Sequence, residues 1–384
     1  MNPIFAELPT TVFEAMSGLA RELGAINLGQ GFPDDPGPAD VRARAAEALL
    51  EGYNQYPSMM GLPVLRRAIA DHYAHHQDLD LDPDAEVMVT SGATEALAAA
   101  LFGLIAPGDE VVVLEPAYDA YLPLIRRAGG VPRIVTLTPP HFRLDEAALR
   151  AAFTDRTRAV VLNNPLNPTA TVFAETDLAL LARLCVEYDA VAICDEVWEH
   201  LIFDGATHRP LMALPGMRDR TVKIDSAGKI FSLTGWKVGF VMAAPALMRV
   251  LAKAHQFLCF TTPPNLQEGV AYGLSKDAAY FVAMREGYAR SRDRLAAGLR
   301  ALGFPVLPSQ ATYFLNVDIV PLGFSDDAAF CEALVREHGV AAIPVSAFYA
   351  QAPVRNLVRL CFAKQDATID AALDRLSDVA RRAA

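Results

Sequence analysis

Short apolar runs alternate with helical patterns along the chain between about Leu81 and Ala244. Five runs read as strands: EVMVTSG, EVVVLEP, TRAVVLNNP, VAICDEVW and TVKIDSAG. Three intervening segments read as helices: ATEALAAALFGLI, YDAYLPLIRRAG and ETDLALLARLCVEYD, the last with apolar residues at i, i+3 and i+4. Continuous Val/Ile/Leu strands separated by helices are typical of a parallel sheet covered on both faces. The pattern therefore predicts an α/β fold with a mostly parallel sheet.

The pattern of apolar and polar positions changes after about Arg285. A helix at Ser291–Leu302 leads to ATYFLNVDI, then to a helix at Asp326–Glu337, the run NLVRLCFA and a final amphipathic helix at Asp366–Ala383. These elements predict a smaller α+β domain. The first ~30 residues are too few to form a domain, so we expect them to pack onto this one. The predicted division is a large domain of residues 31–284 and a small domain of residues 1–30 and 285–384.

Composition narrows the possible partners. The 384 residues are 52% hydrophobic and carry a net charge of -11, which argues against nucleic acid as a partner. No basic segment followed by an apolar one opens the chain, and no apolar run reaches ~18 residues, so we expect neither a signal peptide nor a membrane span. The five cysteines form no C-x-x-C pair. We therefore predict no metal site, no disulfide framework and a cytoplasmic location.

Polar residues follow several of the predicted strands directly. In an open parallel sheet the ligand binds outside the carboxyl ends of the strands. We therefore expect one crevice to collect the following groups: Ser91–Thr94, Glu115–Tyr118, Asn163–Asn167, Asp195–Glu196 and Ser226–Lys229.

Two of these groups suggest an anion and a cation as ligands. The segment SGATEA places small residues where a strand meets a helix, so free N–H groups at Gly92–Thr94 and the helix dipole would hold an anion. The alternative is an ordinary turn in which Ser91 caps the helix. Asp195 ends the apolar run VAIC, and a buried carboxylate needs a partner. That partner is either a protonated ring nitrogen of a cofactor or the amides of a loop.

Two lysines and one arginine extend this chemistry. An amine that forms a Schiff base must be neutral when it attacks, so either Lys229 or Lys237 could react while the other neutralises a phosphate. Both could also be solvated charges. Arg359 lies on the apolar face of NLVRLCFA, which suggests a clamp on a carboxylate or a structural ion pair. Together these groups supply what pyridoxal phosphate chemistry on an amino acid needs.

The chain resembles the class I/II aminotransferases, which are fold-type I enzymes that depend on pyridoxal 5'-phosphate. The resemblance extends from INLGQGFPD to LVRLCFAKQD and rests on six motifs: NQYPSMMGLPVLRRAIA, VTSGATEAL, DEVVVLEPAYDAY, NNPLNPTA, CDEVWEHLIFDG and SAGKIFSLTGWKVG. The branch it resembles contains kynurenine/glutamine, methionine and succinyldiaminopimelate aminotransferases. The implied fold is a large domain with a mostly parallel sheet and a smaller α+β domain.

The resemblance also implies a role for each motif residue toward the cofactor. Lys229 is expected to form the internal aldimine, and Asp195 to pair with the pyridinium nitrogen. Asn167 is expected to hydrogen-bond the phenolic oxygen, and Tyr118 to stack on the ring. Four residues are expected to hold the phosphate: Ala93, Thr94, Ser226 and Lys237.

Substrate and subunit contacts follow from the same resemblance. Arg359 is expected to bind the substrate α-carboxylate, assisted by Asn167 and the Gly31 backbone. Tyr56 is expected to reach the phosphate of a neighbouring subunit, which implies a homodimer with shared active sites. The substrates are an amino acid and a 2-oxo acid.

The sequence departs from the family pattern at two positions. Trp198 stands three residues after Asp195, where the family usually has Tyr, and an indole donates one hydrogen bond but accepts none. Trp198 nevertheless remains a predicted cofactor contact. Ala170 replaces the usual Gly of NPTG, which predicts a turn that does not require a positive φ.

The side-chain preference is open at this point. No Arg in a motif serves a distal carboxylate, and Phe32, Tyr118, Tyr313 and Phe348 could form an apolar pocket. Aromatic amino acids, methionine or glutamine are therefore the expected donors. The alternatives are a succinyldiaminopimelate aminotransferase, a cysteine-conjugate β-lyase and, as a non-enzyme, a regulatory module that senses the cofactor.

Overall fold

The computed structural model describes residues 1–383. Strands and helices, joined by loops, extend along this whole range. The strands are β1 Ile26–Asn27, β2 Val87–Thr90, β3 Glu110–Glu115, β4 Val131–Thr136, β5 Thr157–Asn163, β6 Val191–Asp195, β7 Thr221–Ser226, β8 Gly239–Ala243, β9 Phe314–Asp318, β10 Val340–Ala341, β11 Ile343–Pro344 and β12 Leu357–Cys361. Short 3₁₀ helices lie at Leu211–Ala213, Arg218–Arg220, Thr234–Trp236, Val320–Leu322 and Val345–Phe348.

The α-helices are α1 Pro3–Ala6, α2 Val12–Leu23, α3 Ala39–Glu51, α4 Pro63–Gln77, α5 Gly92–Leu104, α6 Tyr121–Arg127, α7 Glu146–Ala152, α8 Glu175–Glu187, α9 Ala227–Ile230, α10 Pro245–Leu258, α11 Pro264–Leu274, α12 Ala278–Ala301, α13 Asp327–His338 and α14 Asp366–Ala383. Among the described residues, no helix is both long and apolar enough to cross a membrane.

A seven-stranded sheet forms the centre of the molecule, in the order β2-β8-β7-β6-β5-β3-β4. Neighbouring strands from β7 to β4 pair in parallel, whereas β8 pairs antiparallel with both β2 and β7. Six strands thus run in one direction and β8 runs in the other. The prediction of a mostly parallel sheet is confirmed, and the ends of β2, β3, β5, β6 and β7 open on one edge.

Both faces of this sheet are buried, which explains the continuous apolar runs in the sequence. Val111 and Val113 of β3 pack into one core with α5 and α10, whereas Val112 packs into the other core with α8. Successive side chains of a strand point to opposite faces, so the middle of a strand between two helical layers is apolar at consecutive positions. Among the described residues of β3, all six are buried.

The C-terminal part contains a separate antiparallel sheet of order β11-β12-β9. It lies in a core with α12, α13 and α14. Residues near the N-terminus reach the same core: Met16 and Ala20 of α2 are buried in it, and β1 pairs in parallel with β10. The strands and helices predicted after Arg285 are present, although α12 begins at Ala278, before the predicted Ser291.

Some local predictions differ from the structure. The sequence pattern did not identify β4, a partly exposed strand, or β8, whose run GFVMA is apolar. The prediction for Ala170 is wrong, because its φ is +60°. A left-handed backbone costs a residue with a Cβ about 1–2 kcal/mol, and the N–H of Gln310 and that of Ala311 both donate to the Ala170 carbonyl and hold the turn.

Candidate active site

A cavity of about 260 Å³ opens at the carboxyl ends of the central strands. It is lined by nine of the predicted site residues: Ala93, Thr94, Tyr118, Asn167, Asp195, Trp198, Ser226, Lys229 and Lys237. They come from the ends of β6 and β7, from the segments that follow β2, β3, β5, β6 and β7, and from the loop before β8. The strand-end rule therefore assigned these residues, Trp198 and Lys237 apart, to one crevice, whereas Glu115 and Glu196, which it also assigned there, do not line the cavity.

Asp195 lies at the end of β6 with one oxygen engaged and one free. The Tyr121 hydroxyl donates to Asp195 Oδ2 at 2.6 Å, whereas Oδ1 is buried and has no hydrogen-bond partner within the described chain. Burial raises the pKa of the Asp195 carboxyl, and the Tyr121 hydrogen bond opposes that rise. A buried acceptor without a partner is costly, so Oδ1 calls for a donor or a cation from a ligand.

Lys229 follows β7 in the short helix α9 and faces the same cavity. Its Nζ donates to the Tyr313 hydroxyl at 3.0 Å and lies 3.4 Å from the Gly31 carbonyl oxygen. The ammonium also lies 4.7 Å from the centre of the Trp198 ring. Burial lowers the pKa of Lys229 from 10.5 to about 8. A substantial fraction of this amine is therefore neutral near neutral pH, as a Schiff-base lysine requires.

The opposite end of the cavity is built for an anion. Helix α5 begins at Gly92, whose φ of +75° suits glycine. A Cβ at Gly92 would lie 3.1 Å from Lys237 Nζ, so the lysine extends over the start of the helix. Ser91 does not cap α5 through its side chain, so this alternative is wrong. Free helical N–H groups beside an ammonium form an anion site.

Arg359 of β12 borders the cavity without lining it. The side chain is buried, and its two terminal nitrogens donate to Asn167 Oδ1 and to the Gly29 carbonyl, both at 2.8 Å. Its Nε has no partner, and no carboxylate of residues 1–383 forms an ion pair with it. The guanidinium lies 3.9 Å from the centre of the Phe314 ring. Arg359 is thus a buried cation that lacks an anion, which a substrate carboxylate would supply.

Tyr56 is the predicted site residue that the structure does not bring to the cavity. Its side chain is 82% exposed and packs edge-on against Phe260. It lines a separate groove next to α3 with Glu51 and Asn265. Within one chain, therefore, Tyr56 contacts none of the other predicted site residues.

Sequence reasoning missed two contributions to this site. Tyr121 was not identified as the partner of Asp195; it lies on α6, in the predicted helix that follows the crevice group Glu115–Tyr118. Tyr313 was named only as a possible pocket wall, yet its hydroxyl accepts from Lys229 and donates to the Gly31 carbonyl at 2.6 Å. A Tyr in an apolar segment is the only sequence signal that either position offers.

The groups present fit pyridoxal 5'-phosphate. The buried Asp195 Oδ1 lacks a partner that a protonated ring nitrogen would provide, and Lys229 is a desolvated amine in the same cavity. The helix start at Gly92 and the ammonium of Lys237 suit a phosphate. These four observations concern three parts of one cofactor: the ring nitrogen, the aldehyde and the phosphate.

Known proteins point the same way. Residues 24–376 match the family described as aminotransferase class I and II. The chain is 47% identical over 386 residues to a probable N-succinyldiaminopimelate aminotransferase of Mycobacterium tuberculosis, with 98% of this chain and 97% of that protein covered. It is 41% identical to the methionine aminotransferase of Escherichia coli, with 96% of both chains covered.

The fold agrees with a solved structure as well. The N-succinyldiaminopimelate aminotransferase from Mycobacterium tuberculosis superposes with a TM-score of 0.96 at 46% identity, covering 99% of this chain and 100% of that one. The sequence match and the fold agree over nearly the whole length. The chain therefore belongs to the class I and II aminotransferases, and it is a fold-type I enzyme that depends on pyridoxal phosphate.

Proposed function

We propose that this aminotransferase moves the amino group of an L-amino acid with an apolar or aromatic side chain, methionine included, to a 2-oxo acid. The observation that carries the proposal is the pairing of Lys229, whose pKa is lowered to about 8, with the free Oδ1 of Asp195 in one cavity. When bound, the cofactor supplies an aldehyde that takes the amino group and a pyridinium ring that accepts the electrons left at Cα.

The protein's own groups position the cofactor and move protons. Asp195 would hold the ring nitrogen protonated, Asn167 would donate to the phenolic oxygen, and Tyr118 would lie against the ring. The phosphate is held by four residues: Ala93, Thr94, Ser226 and Lys237. Trp198 closes the cavity beside Lys229, and its contact with Tyr313 at 4.5 Å between ring centres supports that role.

Lys229 is the proton carrier. Because its neutral amine lies in a desolvated cavity, it would act as the general base toward the substrate Cα–H and, once protonated, as the general acid. Arg359 binds the substrate α-carboxylate through its guanidinium, with Asn167 and the Gly31 backbone beside it. The Tyr313 hydroxyl orients the Lys229 amine during both transfers.

The side-chain preference follows from what surrounds this cavity. Trp198 and Tyr118 line it, and no arginine or histidine of the described chain does. Its only lysines are Lys229 and Lys237, which the proposal already assigns to the cofactor. An apolar or aromatic donor therefore fits better than one with a second carboxylate.

A second candidate substrate is N-succinyldiaminopimelate. The probable N-succinyldiaminopimelate aminotransferase of Mycobacterium tuberculosis is 47% identical to this chain, more than the 41% of the methionine aminotransferase. A panel of donors with 2-oxoglutarate and pyruvate decides between them. Highest kcat/KM with methionine, phenylalanine or kynurenine supports the first proposal, and highest kcat/KM with N-succinyldiaminopimelate replaces it.

Lys229→Ala tests the chemistry itself. Borohydride reduction of the wild-type holoenzyme should fix the cofactor on Lys229, whereas the variant should not be labelled and should lose about 10²–10⁴-fold in kcat. Lys253→Ala, at an exposed lysine of α10, is the matched control. Normal turnover by Lys229→Ala would refute the assignment.

We also propose a homodimer with shared active sites, in which Tyr56 serves the neighbouring subunit. Its exposure and its distance from the other site residues of its own chain support this proposal. Tyr56→Phe and Lys229→Ala chains can be mixed, so that a hybrid dimer contains one intact site. Statistical mixing of two inactive variants should restore about a quarter of wild-type activity. No recovery would place Tyr56 outside the partner's site.

Two broader assignments complete the proposal. A large domain of residues 31–284 and a small domain of residues 1–30 and 285–384 agree with the pairing of β1 with β10 and with the separate sheet β11-β12-β9. A cytoplasmic location agrees with the five free cysteines. Because residue 284 lies inside α12, differential hydrogen exchange of residues 31–284 and of residues 285–384 during unfolding tests the first proposal, and cell fractionation tests the second.

A further inference from the structure

A buried polar cluster lies behind the cofactor cavity, between α4 and the segment that follows β6. We call it the His–Glu cluster, and its members are His72, His76, Glu196, Glu199, His200, His208 and Lys223. None of these residues lines the cavity that holds Asp195 and Lys229. The proposed aminotransferase chemistry therefore does not explain them.

Some polar groups of the cluster already have hydrogen-bond partners within the chain. Lys223 Nζ donates to Glu196 Oε2 at 2.6 Å and to Glu199 Oε2, which also accepts from the Gln77 side-chain amide. The second oxygen of this carboxylate, Glu199 Oε1, is fully buried and has no partner among the described residues. Glu199 thus presents one free acceptor on the side away from Lys223.

His200 presents a second free acceptor at the same place. Its Nε2 lies 2.7 Å from His72 Nε2, so the two rings share one proton. The other side of the His72 ring hydrogen-bonds to the backbone of Leu274, whose acceptor is a carbonyl. His72 therefore keeps its own proton there, and His200 Nε2–H is the donor between the rings. His200 Nδ1 is left with a bare lone pair, buried and without a partner.

These two acceptors face each other. His200 Nδ1 and Glu199 Oε1 are 3.6 Å apart, too far for a hydrogen bond and unfavourable for two lone pairs. Two ligands of a tetrahedral zinc ion are about 3.4 Å apart when each bond is about 2.1 Å. The observed separation is therefore close to the one that a shared ion would require.

The charge of the cluster favours a cation as well. Three buried carboxyl groups, Glu196, Glu199 and Asp225, surround the single ammonium of Lys223. Uncompensated buried charge is costly. Either protons on some of these carboxyl groups or a divalent cation would offset the excess of negative charge.

We propose that His76, Glu199 and His200 bind a divalent cation of the zinc class, through a His76 ring nitrogen, Glu199 Oε1 and His200 Nδ1. The ligand atoms of the three residues lie within 4.8 Å of one another. His76 stacks on His200 with ring centres 4.5 Å apart, so it must turn to bind the ion, and its exposed position leaves it room. Water completes the coordination on that side.

A second set of possible ligands has no room for an ion, because an ammonium group already lies between its carboxylates. Glu196, Glu199 and His208 also bring their ligand atoms within 4.8 Å, but the Lys223 ammonium occupies the space between the two carboxylates. An ion at His76 would instead connect the end of α4 to the segment after β6. That segment carries Trp198, so metal binding would stabilise one wall of the cofactor cavity.

The experiment measures zinc binding by the holoenzyme after chelator treatment and dialysis. Wild type, His76→Ala and His75→Ala are titrated with zinc chloride, and bound metal is quantified by mass spectrometry. His75 is the matched control because it is the adjacent exposed histidine of α4, with its ring nitrogen bonded to the Asp71 carbonyl. Wild type and His75→Ala should bind one zinc per chain, and His76→Ala should bind at least ~10-fold more weakly.

Thermal unfolding gives a second readout that is independent of activity. At a zinc concentration ~100-fold above Kd, the Tm of wild type and His75→Ala should rise by about 3 °C, and that of His76→Ala should not. Absence of zinc binding by wild type would overturn the proposal and assign the balance of charge to protons. Equal binding by all three proteins, or equal loss in both variants, would overturn it too, because the ion would then lie elsewhere.

Discussion

The lowered pKa of Lys229 makes the rate at which the cofactor-free enzyme bonds its cofactor depend on pH. With a pKa of about 8, roughly a tenth of the amine is neutral at pH 7, against about 0.03% for a lysine that titrates at 10.5. Burial thus raises the reactive fraction about 300-fold at pH 7. The sign follows because only the neutral amine attacks the aldehyde, so the rate rises with pH until the pKa is passed.

The assay is stopped-flow absorbance after mixing cofactor-free enzyme with pyridoxal phosphate between pH 6 and pH 10. The rate should rise about tenfold per pH unit below 7 and level off above about 9. Nα-acetyl-lysine, whose side-chain amine is free and solvated, is the control under the same conditions. Its rate should still rise at pH 10. Continued rise of the enzyme rate beyond pH 9.5 would refute the reasoning, since Lys229 would then titrate like a solvated lysine.

Three further changes test other parts of the site. Arg359→Lys loses the planar fork that pairs with a carboxylate, so kcat/KM for amino acids should fall about 10–100-fold in steady-state assays, with a smaller fall for the same donor as its amide. Gly92→Ala places a Cβ 3.1 Å from Lys237 Nζ at a φ of +75°, and fluorescence titration should show weaker cofactor binding together with a loss of about 1–2 kcal/mol in stability. Tyr121→Phe removes the hydrogen bond to Asp195, worth about 1.5–3 kcal/mol for a charged acceptor. The pH at which the holoenzyme's absorbance changes should shift in this variant, whereas a purely structural role would leave that pH unchanged.

The crevice could be located from sequence because each of its groups follows a buried, largely apolar run. Asp195 directly follows VAIC, and Ser226 ends the buried strand β7. A parallel sheet aligns such ends at one edge, so linear order translates into proximity there. The same reasoning did not detect β4, because an edge strand with partly exposed residues lacks a continuous apolar run.

The partners of these residues could not be found in the same way. Tyr121 lies on α6 and Asp195 at the end of β6, 74 residues apart in sequence. Which helical side chain reaches a given strand end depends on how the helix packs, not on local periodicity. Ala170 illustrates a related limit, because the tertiary contacts of its carbonyl hold a backbone conformation that an alanine disfavours.

Burial shifts the pKa values of Asp195 and Lys229, the two principal groups of the cofactor-free site, in opposite directions. It raises the pKa of Asp195 and lowers that of Lys229, so it disfavours the charged form of both. A protonated ring nitrogen beside Asp195 Oδ1 reverses the balance for the acid, because a cation at hydrogen-bond distance favours the carboxylate. The cofactor-free fold therefore supplies a neutral amine at Lys229 but leaves Asp195 Oδ1 without a hydrogen-bond partner. It follows that cofactor binding should lower the pKa of Asp195 while the amine stays suited to proton transfer. Within the described chain, the Tyr121 hydroxyl and the backbone N–H of Val197 then support the Asp195 carboxylate from the protein side.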